Sequence, residues 1–320
     1  MNEVGFMEDT LAIDIGGTFI KFGVVSPDYQ LKSHYFIATH PFENVGDMFD
    51  DLCRRIRSLE GVGRIGVCAP GLVDLEGRVK NHASPRLRAL FGANIKEEME
   101  RRTGLFTSAI NDAKAAGLCE LKLGNARGTK CSAFLIIGTG AGGCICLEDD
   151  VYGGADNFAG EFHFMVYPDE HTGEIVKTGC MTGTLGLIHM YNQRTSARHH
   201  AHYGKEITDR YLAGEPLAGE VVADWIHRIA LHCLNIVVTI NPEVLLIGGG
   251  ISEADWFISS LKAEYERVSR LHFSGIDFVT TRLDRCQYRG SANLLGAALR
   301  VRMCQENQRM GRTDSAGAGP

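Results

Sequence analysis

The sequence predicts an α/β protein built from two similar halves, and three features carry that expectation. The segment from Leu11 to Val25, LAIDIGGTFIKFGVV, reads as two apolar strands joined by a narrow glycine-containing turn. The same strand, glycine turn, strand pattern returns from Cys131 to Leu147 in CSAFLIIGTGAGGCICL, about one domain further along, which suggests a duplicated architecture. Between them, the apolar run FTSAI ends at Asn111 and Asp112, where an alanine-rich helical stretch begins. A strand-to-helix junction of this kind is where α/β proteins place ligands.

The remaining elements follow in order. Phe49, Leu52, Cys53 and Ile56 recur at i, i+3, i+4 and i+7 and share one face of a helix. RIGVCAPGLV supplies a short apolar strand. Asn94 is placed to cap a helix from Ile95 to Arg102, with Gly104 just past its far end. Asn111 and Asp112 open a helix that reaches about Leu121, so their polar side chains lie at a helix N-terminus. The longest helical stripe carries Val222, Trp225, Ile226, Ile229, Cys233, Ile236, Val237 and Ile240 and stops at Asn241-Pro242. VLLIGGGIS then reads as a buried strand ending in a glycine turn. A terminal helix from Ser291 to Met303 precedes a polar, glycine-rich tail, residues 305–320, expected to be disordered.

Composition sets the boundaries of function. With 320 residues, 44% of them hydrophobic, the chain can bury the cores of two ordinary domains. A net charge of -6 gives no basic field for a nucleic-acid backbone, so no nucleic-acid partner is expected. The opening MNEVGFMEDT is acidic and lacks the basic and apolar regions of a secretory signal. Apolar stretches such as Ile236 to Gly250 are interrupted by Asn241, Pro242 and Glu243, so no membrane span is expected either. The ten cysteines follow no framework, which fits reduced thiols in a cytoplasmic protein. Cys144 and Cys146 fall on one face of a strand and read as core.

The chemistry concentrates in the glycine turns. Asp14, Gly16, Gly17 and Thr18 form D-I-G-G-T at the tip of the first hairpin. Glycine lets backbone amides approach phosphate oxygens, and a carboxylate beside a phosphate needs a bridging cation, so this turn points to a magnesium nucleotide with Asp14 holding Mg²⁺ directly or through water. Lys21 is either a further phosphate-neutralising cation or a solvated lysine. Gly138, Thr139, Gly140, Gly142 and Gly143 repeat the opportunity in I-G-T-G-A-G-G. No Gly-Lys-Ser/Thr follows, and a strand follows where a helix should, so the turn is neither a Walker loop nor a dinucleotide fingerprint. Gly248, Gly249 and Gly250 make a third turn, suited to passing under a nucleoside.

Taken together, D-I-G-G-T, A-P-G-L-V-D, N-D-A-K-A-A, I-G-T-G-A-G-G, A-G-E and N-P-E-V-L-L-I-G-G-G-I-S resemble the ordered motifs of the ROK family of sugar kinases and sugar-responsive repressors, over roughly residues 10 to 300. The resemblance implies a two-lobed actin/hexokinase-like (ribonuclease H-like) fold with duplicated βββαβα-type domains. It implies a smaller N-terminal lobe over 1–112 and a larger lobe over 113–290, with the terminal helix 291–304 packing back on the first. Sugar and ATP bind in the cleft between the lobes in such proteins, which are usually homodimers. By the same resemblance Asp112 matches the catalytic base, and Asn111 and Glu161 match residues that hydrogen-bond the sugar. Asn81 and Phe164 join these three around the expected sugar pocket.

The sequence departs from the commoner family pattern at one place. Many members carry G-E-x-G-H and then a cysteine cluster that binds structural zinc, whereas here the stretch is Glu161, Phe162, His163, Phe164, and only Cys180 remains in K-T-G-C-M-T-G. The chain therefore resembles the zinc-free branch, similar to β-glucoside kinases and glucokinase-like members, and no zinc is expected. His199, His200 and His202 in ARHHAHYG read as a solvated loop. The expected activity is transfer of the γ-phosphoryl group of MgATP to a hexose or hexose derivative, at O6, of the glucose or β-glucoside type, with N-acetylmannosamine or fructose as alternatives. The competing expectations are a sugar-responsive regulator, disfavoured because only about ten residues precede the Leu11 strand, and a catalytically silent sugar sensor.

Overall fold

Two larger sheets of matching construction and a small two-stranded pair, Val166–Pro168 with Ile175–Lys177, account for the strand pattern in a computed structural model that describes residues 8–82, 84–168, 173–276 and 279–311. In chain order the elements are β1 (Asp9–Ile15), β2 (Phe19–Val25), β3 (Leu31–Ala38), α1 (Val45–Arg54), β4 (Val62–Ala69), α2 (Ile95–Thr103), β5 (Phe106–Asn111) and α3 (Asp112–Leu123). They continue with β6 (Cys131–Ile137), β7 (Ala141–Leu147), β8 (Asp150–Val151), β9 (Val166–Pro168), β10 (Ile175–Lys177), α4 (Thr178–Thr182), α5 (Thr184–Gln193) and α6 (Gly204–Leu212). The chain closes with α7 (Pro216–Ile240), β11 (Val244–Gly248), α8 (Asp255–His272), β12 (Arg282–Arg285) and α9 (Ala292–Arg309). Two compact units result. The first takes the described residues of Met1–Leu123, Asp150–Ala159 and Gly290–Pro320, and the second takes those of Gly124–Asp149 and Gly160–Arg289.

In the first unit the sheet order is β3-β2-β1-β4-β5. The hairpin strands β1 and β2 are antiparallel, while β4 runs parallel to β1 and β5 parallel to β4. Leu11, Ile13, Phe22, Ile65 and Val67 from the sheet pack with Met48, Phe49 and Leu52 of α1 and with Ile95 and Met99 of α2. Asn94 caps α2 by accepting from the Glu97 amide, and Gly104 ends it at φ 71°, where a left-handed residue releases the last turn. The helix expected through Ile56 ends two residues earlier, at Arg54. Ile56 still packs on the same core from the turn that follows, which is why its spacing reads as helical.

The terminal helix α9 belongs to this unit. It lies against α3 at Gly296, where a β-carbon would come within 1.9 Å of the Ala115 carbonyl oxygen. Buried Arg302 anchors it further, donating to the carbonyls of Ser26 at 2.7 Å and Pro27 at 2.6 Å. Because α3 and residues 150–159 pack here too, the division of the chain falls after α3 and not at 112/113. The helix also runs to Arg309, past the expected start of the tail at 305, since Gln305, Glu306 and Gln308 are good helix formers. Residues 312–320 of that tail lie outside the described residues.

The second unit repeats the plan in the order β12-β11-β6-β7. Here β6 and β7 form the antiparallel hairpin, and β11 and β12 extend the sheet in parallel on the far side of β6. Its core is centred on α7, whose Val222, Trp225, Ile229, Cys233, Ile236 and Val237 are all buried. Pro216 starts α7, and Asn241 at φ 50° followed by Pro242 stops it. Among the described residues α7 alone is long and apolar enough to cross a membrane, and it is mostly buried as a core helix. His232 sits within it, its pKa pushed down to about 4 by burial, so the ring is neutral. Cys144 and Cys146 are both buried on β7.

Candidate active site

The first hairpin tip is tied down by its own carbonyls. The Gly16 amide donates to the Phe19 carbonyl at 3.0 Å, and the Thr39 hydroxyl donates to the Gly16 carbonyl at 2.7 Å. In a trans peptide the N–H points opposite to the preceding C=O, so the Gly17 amide is directed away from Thr39. Asp14, one strand residue before the turn, is 5% exposed and is held by three donors. Lys21 Nζ lies 3.1 Å from Oδ2, while Asn293 Nδ2 lies 3.2 Å and Cys68 Sγ 3.4 Å from Oδ1. The Lys21 ammonium forms a salt bridge with this carboxylate. One carboxylate beside a glycine turn is a donor set that Mg²⁺ would accept with a nucleotide and waters completing its shell, so these residues fit the ion. Among the described residues no three His, Cys, Asp or Glu side chains group into a further metal site.

At the β5–α3 junction the two polar residues divide their tasks. Asn111 Oδ1 accepts from the Lys114 amide at 3.0 Å, three residues on, which makes Asn111 the cap of α3. Its Nδ2 donates to the Gly71 carbonyl at 2.9 Å and to Asp112 Oδ1 at 3.0 Å, so both amide hydrogens are committed within the protein. Asp112 Oδ1 also accepts from the Ala113 amide at 2.8 Å. No other residue of the described chain hydrogen-bonds Asp112 Oδ2. The dense surround of this half-buried side chain raises its pKa to about 6, chiefly through burial, with repulsion from Asp14 adding to it. Asn81 Oδ1 accepts from the Leu72 amide at 2.7 Å and so braces the loop after β4.

In the second unit, Gly138 and Thr139 are exposed at the β6–β7 tip. Their carbonyls accept from the first amides of α5, Thr184 at 2.9 Å and Leu185 at 3.1 Å. The same trans-peptide rule turns the Thr139 and Gly140 amides away from α5, in the sense needed to receive an anion. Of the third glycine turn, Gly249 has a packing reason to be glycine: its φ is +88° and a β-carbon would meet the Ile137 carbonyl oxygen at 2.0 Å. Gly250 faces open space, and Gly248 is buried at the end of β11. Glu161 is half-buried and leads into one 3₁₀ turn, Phe162–Phe164. Phe164 is 36% exposed, with Lys177 Nζ 4.8 Å from its ring centre. The His163 ring rests against Gly179 and near Gly140, and burial together with Lys177 lowers its pKa.

The model of the ROK family matches residues 10–303 of this chain. The chain belongs to the ROK family. Among curated relatives, the β-glucoside kinase of Klebsiella pneumoniae is 30% identical over 292 residues, spanning 89% of this chain and 93% of that one. A ROK family protein from Streptococcus pneumoniae, solved in complex with sucrose, superposes with a TM-score of 0.80 at 27% identity, covering 94% of this chain and 99% of the other. The ROK glucokinase of Streptomyces griseus, solved with glucose and AMPPNP, shares the fold with a TM-score of 0.75 at 24% identity, over 92% and 99% of the two chains.

Seen as a ROK protein, the chain has contacts around these groups that no motif states. Cys68 and Asn293 reach Asp14 from β4 and from α9, 54 and 279 positions away. Lys114 is buried and donates to both the carbonyl and the side chain of Asn157, whose Nδ2 in turn donates to the Val73 carbonyl at 2.6 Å. These residues bind the α3 helix to the loop that Asn81 braces, and only a three-dimensional arrangement could reveal them. Gly140 offers a clean test of the hairpin, because a β-carbon there makes ordinary contacts of 3.6 Å with His163 Nδ1 and 3.7 Å with the Gly179 carbonyl. Gly140→Val is expected to fold, yet to weaken MgATP binding about tenfold or more by blocking one charge-assisted backbone contact. Nucleotide titration of the variant that overlaid the wild-type curve would remove this hairpin from the site.

Proposed function

We propose that this ROK-family sugar kinase transfers the γ-phosphoryl group of MgATP to the O6 hydroxyl of a hexose of the glucose or β-glucoside type, with Asp112 as general base. The observation that carries the reading is the division of labour at the β5–α3 junction. Asn111 caps the helix, which leaves Asp112 with one oxygen fixed by Ala113 and Asn111 and the other bonded by no other described residue. A strand-end carboxylate in that state can accept the hydroxyl proton as the sugar oxygen bonds to phosphorus and ADP departs with the electrons of the broken P–O bond. Burial holds its pKa near the working range, as a base in this role requires.

The other residues position. The first hairpin directs the Gly17 amide outward beside Asp14, and the second directs the Thr139 and Gly140 amides outward from α5. When bound, Mg²⁺ supplies positive charge among the phosphate oxygens, and Asp14 would hold it. Asn81, Glu161 and Phe164 are the proposed sugar contacts, with Asn111 acting through Asp112. The sugar class is supported by the Klebsiella pneumoniae relative, which is named a β-glucoside kinase. ADP release with glucose, β-glucosides, fructose, mannose and N-acetylated hexosamines tests the reading. The highest kcat/KM is expected for glucose or a β-glucoside, and no turnover with any hexose overturns it.

The kinase is also proposed to work without zinc. Phe164 stands where the commoner pattern has histidine, and Cys180 has no cysteine cluster around it in the sequence. Elemental analysis of dialysed protein is expected to find far less than one zinc per chain. One equivalent retained against a mild chelator would contradict this.

A further inference from the structure

Asp14 is the carboxylate best placed for a magnesium nucleotide, and its orientation is set by residues far from it in sequence. Oδ1 receives the Asn293 side-chain amide at 3.2 Å and the Cys68 thiol at 3.4 Å, and Oδ2 faces the Lys21 ammonium at 3.1 Å. Asn293 lies in the first turn of α9, and Cys68 is fully buried near the end of β4. The Cys68 sulfur also sits 3.6 Å from the Asn293 carbonyl oxygen, so thiol, amide and carboxylate form one closed cluster. A carboxylate oxygen only accepts, so in the Cys68–Asp14 contact the thiol is the donor, and at 3.4 Å Asp14 Oδ1 is its nearer acceptor. Two donors on one oxygen fix the plane of the carboxylate. They leave Oδ2 as the oxygen that exchanges Lys21 for another cation.

We propose that Asn293 and Cys68 are positioning residues that lock Asp14 Oδ1, so that Oδ2 is presented to the metal of a bound magnesium nucleotide. The inference rests on the kinase reading and adds the terminal helix to its machinery. A carboxylate free to rotate would spend part of its time with neither oxygen aimed at the cation. Partners that orient a metal ligand typically change metal affinity 10- to 100-fold when removed.

Isothermal calorimetry of ADP binding across a Mg²⁺ series tests this without turnover. For Asn293→Ala and Cys68→Val, the Mg²⁺ concentration that half-saturates ADP binding is expected to rise about tenfold or more. Metal-free ADP binding and sugar binding should stay within about twofold of wild type, a range worth less than half a kcal/mol. Cys68→Ser keeps a donor and should recover most of the Mg²⁺ dependence that valine loses. A merely structural role predicts otherwise: all ligands weaken together and serine gives no rescue. Folded Asn293→Ala with an unchanged Mg²⁺ midpoint overturns the inference alone. Wild-type protein whose ADP binding ignores Mg²⁺ overturns it together with the kinase reading.

Discussion

Asp112→Asn is expected to lower kcat by about two to four orders of magnitude, the usual worth of a positioned general base, while leaving sugar affinity nearly unchanged. Asparagine can keep both accepted hydrogen bonds, because its Oδ1 can receive the Ala113 amide and the Asn111 side chain as aspartate does. Its Nδ2 then occupies the place of Oδ2 and offers a donor where the sugar hydroxyl needs an acceptor. Loss of helix capping cannot account for such a fall, since Asn111 and not Asp112 caps α3. Stability separates the two explanations further. The folded pKa of about 6 lies above the ordinary aspartate value of 3.8, so the folded state binds the proton more tightly, and stability falls as pH rises from 3.8 through 6. Above pH 6 the charged carboxylate therefore costs on the order of 3 kcal/mol relative to a neutral group. The asparagine variant should melt at or above the wild-type temperature near pH 8. A variant that melts there and still keeps more than about a tenth of wild-type kcat would contradict the general-base assignment.

The architecture is legible in the sequence where short-range rules decide it. Glycine between two apolar runs marks both hairpins, and Asn94 with Gly104 brackets α2, because these signals act through residues within one turn of each other. The return of α9 to the first unit is a packing outcome. It depends on Gly296 meeting Ala115 and on Arg302 finding the carbonyls after β2, contacts separated by 181 and about 275 positions that no local period encodes. At the junction, residue type alone leaves the roles of Asn111 and Asp112 open, since both cap helices about equally well. Geometry separates them: the Asn111 oxygen reaches the Lys114 amide, and the Asp112 carboxylate turns to its neighbours instead. The Asp14 cluster is hidden for a related reason. Cys68 and Asn293 have no motif of their own, and they become visible only once β4 and α9 flank β1.

The pH dependence of turnover should carry the signature of the same carboxylate. A general base must be unprotonated to accept the hydroxyl proton, so kcat/KM is expected to be level above pH 7 and to fall tenfold per unit below about 6, the pKa of Asp112 in the free protein. Phosphate groups of ATP also titrate near neutrality, and the asparagine variant distinguishes the two sources. Its residual kcat/KM should lose the acid limb if Asp112 causes it and keep the limb if the nucleotide does.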